Sequence, residues 1–176
     1  MQSLLGVIDS DNGAVVSGTT SLTTLFAASP MQIPDDSQIG DIYFFAANGN
    51  SLNLSGSAGR TSQIRCQLGG TSLWTPFAIS MANAQLFTWE IHFTLLIKEA
   101  DASELLGPYG KFEPSSVVNF GSAPGVDTTL ERRISGAPTV ATNAAINITL
   151  DTTHSHNDAA FTTTCAGAYL TRARRV

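Results

Sequence analysis

The clearest pattern in the chain runs from Leu86 to Lys98. Trp89, Ile91, Phe93, Leu95 and Ile97 share one parity, and Glu90, His92, Thr94 and Lys98 share the other. A period of two puts these sets on opposite faces of a β-strand. A helix would scatter the same apolar residues around its circumference. Leu96 interrupts the polar parity. The stretch is predicted to be a long central strand, with one face on a core and the other wet or against a partner.

Shorter segments repeat the pattern. In Gln63–Leu68, Ile64, Cys66 and Leu68 alternate with Gln63, Arg65 and Gln67. In Ala145–Leu150, Ile146, Ile148 and Leu150 fall on one face. Ile42–Ala47 is almost continuously apolar, which predicts a strand covered on both faces. Ser21–Ala27, Ser72–Ser80, Leu105–Phe112, Ser116–Phe120 and Ala160–Thr171 read as further strands, with Pro76 putting the second of these at an edge or bulge. Asp101–Leu106 is the one place where a short helical turn is expected. Turn residues separate the segments throughout. Together they predict an all-β antiparallel β-sandwich, jelly-roll-like, of about eight to ten strands with little helix. Residues 1–20 form an N-terminal arm or first strand. Residues 21–176 form a single domain, with a long loop at about 121–140 marked by Pro124, Gly125, Gly136 and Pro138.

Composition sharpens this picture. A chain of 176 residues is long enough for one real core. Only 13% of its residues are charged, against 43% hydrophobic. Ordinary soluble domains carry about 25% charged residues. Ser, Thr, Asn and Gly fill the gap, as suits a protein that buries surface against neighbours. A net charge of −5 argues against direct nucleic-acid binding. No apolar run reaches the length of a membrane span, and the N-terminus lacks the basic region of a signal peptide. Cys66 and Cys165 are expected to be reduced, buried thiols.

Candidate chemistry is sparse. His154, His156 and Asp158 are spaced to share one side of an extended segment and suggest a metal site. The glycines and downstream glutamate of a cupin are missing, so the segment is read as a solvated turn. His92 and Glu90 share a strand face without a nucleophile motif beside them. No catalytic residue, metal site or cofactor is predicted, and the chain is expected not to be an enzyme. Trp74, two residues before Pro76 on an edge strand, is expected to be partly exposed, as a subunit contact or a sugar platform. Arg172, Arg174 and Arg175 cluster at the C-terminus. They are read as a solvated tail end or as a clamp on an acidic patch of a partner subunit. Trp74 and these three arginines are the predicted subunit contacts.

One succession of segments carries a resemblance. Ile33-Pro34, then Ile39-Gly40-Asp41 opening an apolar strand, then Ile64-Arg65-Cys66-Gln67-Leu68-Gly69-Gly70, and then Thr88-Trp89-Glu90-Ile91-His92-Phe93-Thr94-Leu95 follow in order. Over Ser21–Phe112 the chain resembles small β-sandwich structural proteins of tailed bacteriophages, of the head decoration (cement) or spike type. The resemblance implies a virion protein made in the host cytoplasm, a homotrimer whose partners are itself and the major capsid protein or other virion proteins. It implies no catalytic residues. A decoration protein stabilising a phage head is the first expectation. A spike or fibre module recognising host surface glycan is the alternative, with Trp74, Asn48, Asn50 and His154 available to it.

Overall fold

The computed structural model describes residues 3–28, 30–73, 78–99, 102–105, 111–119, 132–133 and 144–175. Among them every regular element is extended. In chain order the strands are β1 (Ser3–Asp11), β2 (Val15–Ser17), β3 (Thr23–Thr24), β4 (Met31–Ile33), β5 (Ile42–Asn53), β6 (Arg60–Leu68) and β7 (Thr71–Ser72). Then follow β8 (Ala78–Met81), β9 (Gln85–Glu99), β10 (Ala102–Leu105), β11 (Lys111–Asn119), β12 (Arg132–Arg133), β13 (Ile146–His154) and β14 (Phe161–Arg175). The count exceeds the expected eight to ten because several are two to four residues long, too short to show a period.

Two antiparallel sheets pack face to face. The first has the order β1-β14-β5-β9-β11-β12, with β2 also on β14 and β10 also on β9. The second has the order β3-β13-β6-β7, with β4 also on β13 and β8 also on β6. The runs β1-β14-β5-β9 and β4-β13-β6-β8, with the chain crossing between them, are the double Greek key of a jelly roll. The strands β10, β11 and β12 extend the first sheet beyond β9. The expected loop at 121–140 lies outside the described residues except for β12, which pairs with β11.

β9 is an interior strand, paired along its length with β5 from Ile42–Leu96 to Asn53–Gln85. Its odd residues Phe87, Trp89, Ile91, Phe93, Leu95 and Ile97 are buried. Opposite them β5 buries Tyr43, Phe45 and Ala47, with the Phe45 and Phe93 rings stacked at 4.9 Å between centroids. The second sheet answers with Ile64, Cys66 and Leu68 from β6 and Ile146, Ile148 and Leu150 from β13. Cys66 and Cys165 are both buried and free. Burial pushes the Cys165 thiol up to about 11 and Cys66 higher still, so neither is a nucleophile.

Two expectations are corrected here. Ile42–Ala47 is not covered on both faces: Phe44, on the outer parity, is 40% exposed. Its run of apolar residues fills one face of the core and leaves an apolar patch outside. Residues 102–105 are not helical. Ser103 and Leu105 lie opposite Ile97 and Leu95, satisfying the free edge of β9 that β11 does not reach.

The core holds one polar cluster between the sheets. Thr163 Oγ1 lies 2.9 Å from Ser51 Oγ, 3.0 Å from Ser62 Oγ and 2.9 Å from His154 Nε2. All four residues are buried, and the His154 ring stacks on Phe161 at 4.4 Å. His154 is therefore a core residue and not part of a solvated turn. Burial lowers its pKa to about 4, so it is neutral in the fold at neutral pH.

Two predictions follow from this packing. At Gly49 a β-carbon would fall on the Thr164 carbonyl oxygen and the Trp89 ring, so Gly49→Ala should destabilise by about 2–3 kcal/mol in urea unfolding. For His154 the unfolded imidazole takes up a proton near the ordinary 6.5 and the folded one only near 4. Stability should fall as pH drops through that window, because the unfolded state binds the extra proton. His154→Leu should remove that part of the slope, as read by thermal melts across the same pH range.

Candidate functional site

The outer face of the first sheet carries a groove of about 450 Å³. It crosses four neighbouring strands, from Ser10, Asp11 and Asn12 on and after β1, over Gly167, Ala168 and Tyr169 on β14 and Ala46–Asn48 on β5, to Glu90, Ile91 and His92 on β9. Its form follows from register. Ser10 lies opposite Tyr169, Tyr169 opposite Ala46 and Ala46 opposite His92, so one row crosses the sheet. The next outward row along the strands runs from Gly167 through Asn48 to Glu90. The small residues Ala46 and Gly167 form the trough. Tyr169, Asn48, Glu90 and His92 stand around it.

A β-bulge creates this face. On β14, Phe161, Thr163 and Cys165 point inward. By simple alternation Tyr169 would point inward too. The register shifts between Cys165 and Gly167, so Ala168 and Leu170 become the buried pair and Tyr169 turns outward, 51% exposed. The wall beside β1 is rigid: the buried Asp11 carboxylate accepts hydrogen bonds from the amides of Gly13 (2.6 Å), Ala27 (2.8 Å) and Ala28 (3.1 Å). A second depression of about 340 Å³ adjoins the groove along the strands, lined by Asn48, Gly49, Asn50, Thr88, Trp89, Glu90 and Ala166.

The groove offers a flat aromatic ring, an amide that both donates and accepts, a carboxylate and an imidazole. Among the described residues no Lys or Arg lines it. That set suits hydrogen bonding to hydroxyl groups over a stacking surface.

The other predicted residues lie elsewhere. Arg174 grips Asp41 in a fork, Nε to Oδ1 at 3.0 Å and Nη2 to Oδ2 at 2.7 Å, while its Nη2 also donates to the Asp36 carbonyl. Arg172 Nη1 reaches Asp36 Oδ1 at 2.7 Å. Both guanidinium groups are thus engaged within the chain, and they fasten the loop before β5 to the end of β14. Burial pushes the Asp41 carboxyl up, but hydrogen bonds from Arg174 and the Gln38 amide outweigh it and hold the pKa below the ordinary value. Trp74 and the Arg175 side chain lie outside the described residues. His156 is exposed and hydrogen-bonded to Ser155, and Asp158 accepts from the Ala160 amide, so His154, His156 and Asp158 do not converge. No group of side chains among the described residues is placed to hold a metal ion. Of the residues considered for glycan contact, Asn48 and Asn50 lie in the groove system, whereas His154 is in the core. Tyr169 was hidden from sequence reasoning by the bulge.

No family model matches the chain and no curated protein matches it. Among solved structures it is similar to the CBM2 module of the evolved Dit of Lactobacillus casei BL23 phage J-1, with a TM-score of 0.37 and 13% identity over 80% of this chain and 66% of that one. It is similar to the EclA C-terminal domain, a sugar-binding protein, with a TM-score of 0.33 and 8% identity over 96% and 76%. It is also similar to VP2 of the infectious bursal disease virus subviral particle, with a TM-score of 0.30 and 12% identity over 98% of this chain and 32% of that one. At these scores the likenesses carry no argument about function.

Proposed function

We propose that the chain is a glycan-binding module of a virion surface protein, and that it holds a neutral glycan in the groove on the outer face of β14, β5 and β9. The observation that carries this reading is the trough over Ala46 and Gly167, walled by Tyr169, Asn48, Glu90 and His92. A sugar ring presents an apolar C–H face and a rim of hydroxyls. Tyr169 supplies a surface for the first, and Asn48 and Glu90 supply donors and acceptors for the second. The net charge of −5 and the Glu90 carboxylate in the groove favour a neutral ligand over an anionic one. The module binds without cleaving. The virion setting rests on the resemblance of residues 21–112 to bacteriophage β-sandwich proteins.

A second reading is favoured by a different observation. One row of the same face carries Val7, Thr171 and Phe44, with Val7 65% exposed. Exposed apolar residues on a sheet face are suited to burial against another subunit. In this reading the chain is a head decoration protein, a homotrimer that stabilises a phage capsid through the major capsid protein.

The readings separate in two measurements. Tyr169→Ala should weaken glycan binding at least about tenfold, in a calorimetric titration, with the melting temperature unchanged because the side chain lies outside the core. For the decoration reading, light scattering should give a trimer mass that falls to that of a monomer in Phe44→Ser. A monomeric wild-type protein would remove that reading.

A further inference from the structure

Resting on the glycan reading, we infer that the site takes an oligosaccharide of at least two sugar units, not a single sugar. The first argument is extent. The groove crosses from β1 to β9, three interstrand spacings, which is roughly 14 Å. A single pyranose ring fills only part of that span.

The second argument is continuity. The groove and its neighbouring depression share Asn48 and Glu90, which face each other across β5 and β9. From that shared pair the second depression continues along the strands to Asn50 and Thr88, two residues on, which is roughly 7 Å. The two form one path through that pair. It turns at Asn48 and Glu90, from running across the strands to running along them.

The third argument is the placement of chemistry. Tyr169 lies on one side of the turn and Asn50 beyond it, separated by the Asn48–Glu90 pair. One ring stacks at Tyr169 over Ala46. The glycosidic linkage passes Asn48 and Glu90, whose amide and carboxylate take the hydroxyls flanking it. The following ring lies toward Asn50. Specificity for linkage therefore resides in Asn48 and Glu90, and gain of affinity with length resides in Asn50.

The test is calorimetric titration of the wild-type chain with three neutral ladders, malto-, cello- and chito-oligosaccharides of one to five units. Affinity for at least one ladder should rise tenfold or more between one and three units and then level off. Tyr169→Ala should reduce affinity at every length. Asn50→Ala should remove the gain between one and two units and leave the single sugar unchanged. Binding that does not depend on length, or an Asn50→Ala loss equal at all lengths, would overturn this inference and leave the glycan reading standing. No binding to any ladder would overturn the glycan reading itself and this inference with it. Melting curves of both variants should match wild type, since both side chains lie on the outer face.

Discussion

The structure depends on one constraint, the alternation of β5 and β9 as paired neighbours. Their odd residues face the second sheet and hold the largest side chains of the core, from Tyr43 and Phe45 to Trp89 and Phe93. At about 25 cal/mol per Å² of apolar surface, such rings dominate the gain from burial. A one-residue slip would turn the whole set to solvent. Gly49 makes the register possible by leaving room for Trp89 against the strand. Because the odd face is committed to the core, the even face is free to carry function. The groove is thus a consequence of the same periodicity that builds the core.

The packed interior also explains where polar groups sit. The hydroxyls of Ser51, Ser62 and Thr163 and the Nε2 of His154 hydrogen-bond to one another between the sheets. Asp11 and Asp41 fasten loops to the sandwich from its edges, the first through backbone amides and the second through Arg174. These buried groups serve architecture.

Much of the fold was legible in the chain. Strands with six or more alternating residues, such as β6, β9 and β13, announce both their existence and their inward face. Strands of two to four residues do not, because two points cannot establish a period. β10 was misread as a helical turn because its reason to be extended lies in the open edge of β9, which local sequence does not encode. Ile42–Ala47 was misread because apolar content alone does not tell a doubly covered strand from one with an exposed patch. The site was less legible. Parity puts Glu90 and His92 on one face, and the amides of Asn48 and Asn50 suit contact with a glycan. Their meeting with Tyr169 required the strand order and the bulge after Cys165, neither of which local pattern contains.

The central claim is that ligand recognition belongs to the outer face of β14, β5 and β9. The most direct measurement is an NMR titration of the isotope-labelled chain with a neutral oligosaccharide. The account predicts that amide shifts concentrate at Ala46, Asn48, Glu90, His92 and Tyr169, with the inward residues of β6 and β13 unmoved. Shifts confined to the second sheet, or to the Asp36–Asp41 loop held by Arg172 and Arg174, would contradict it.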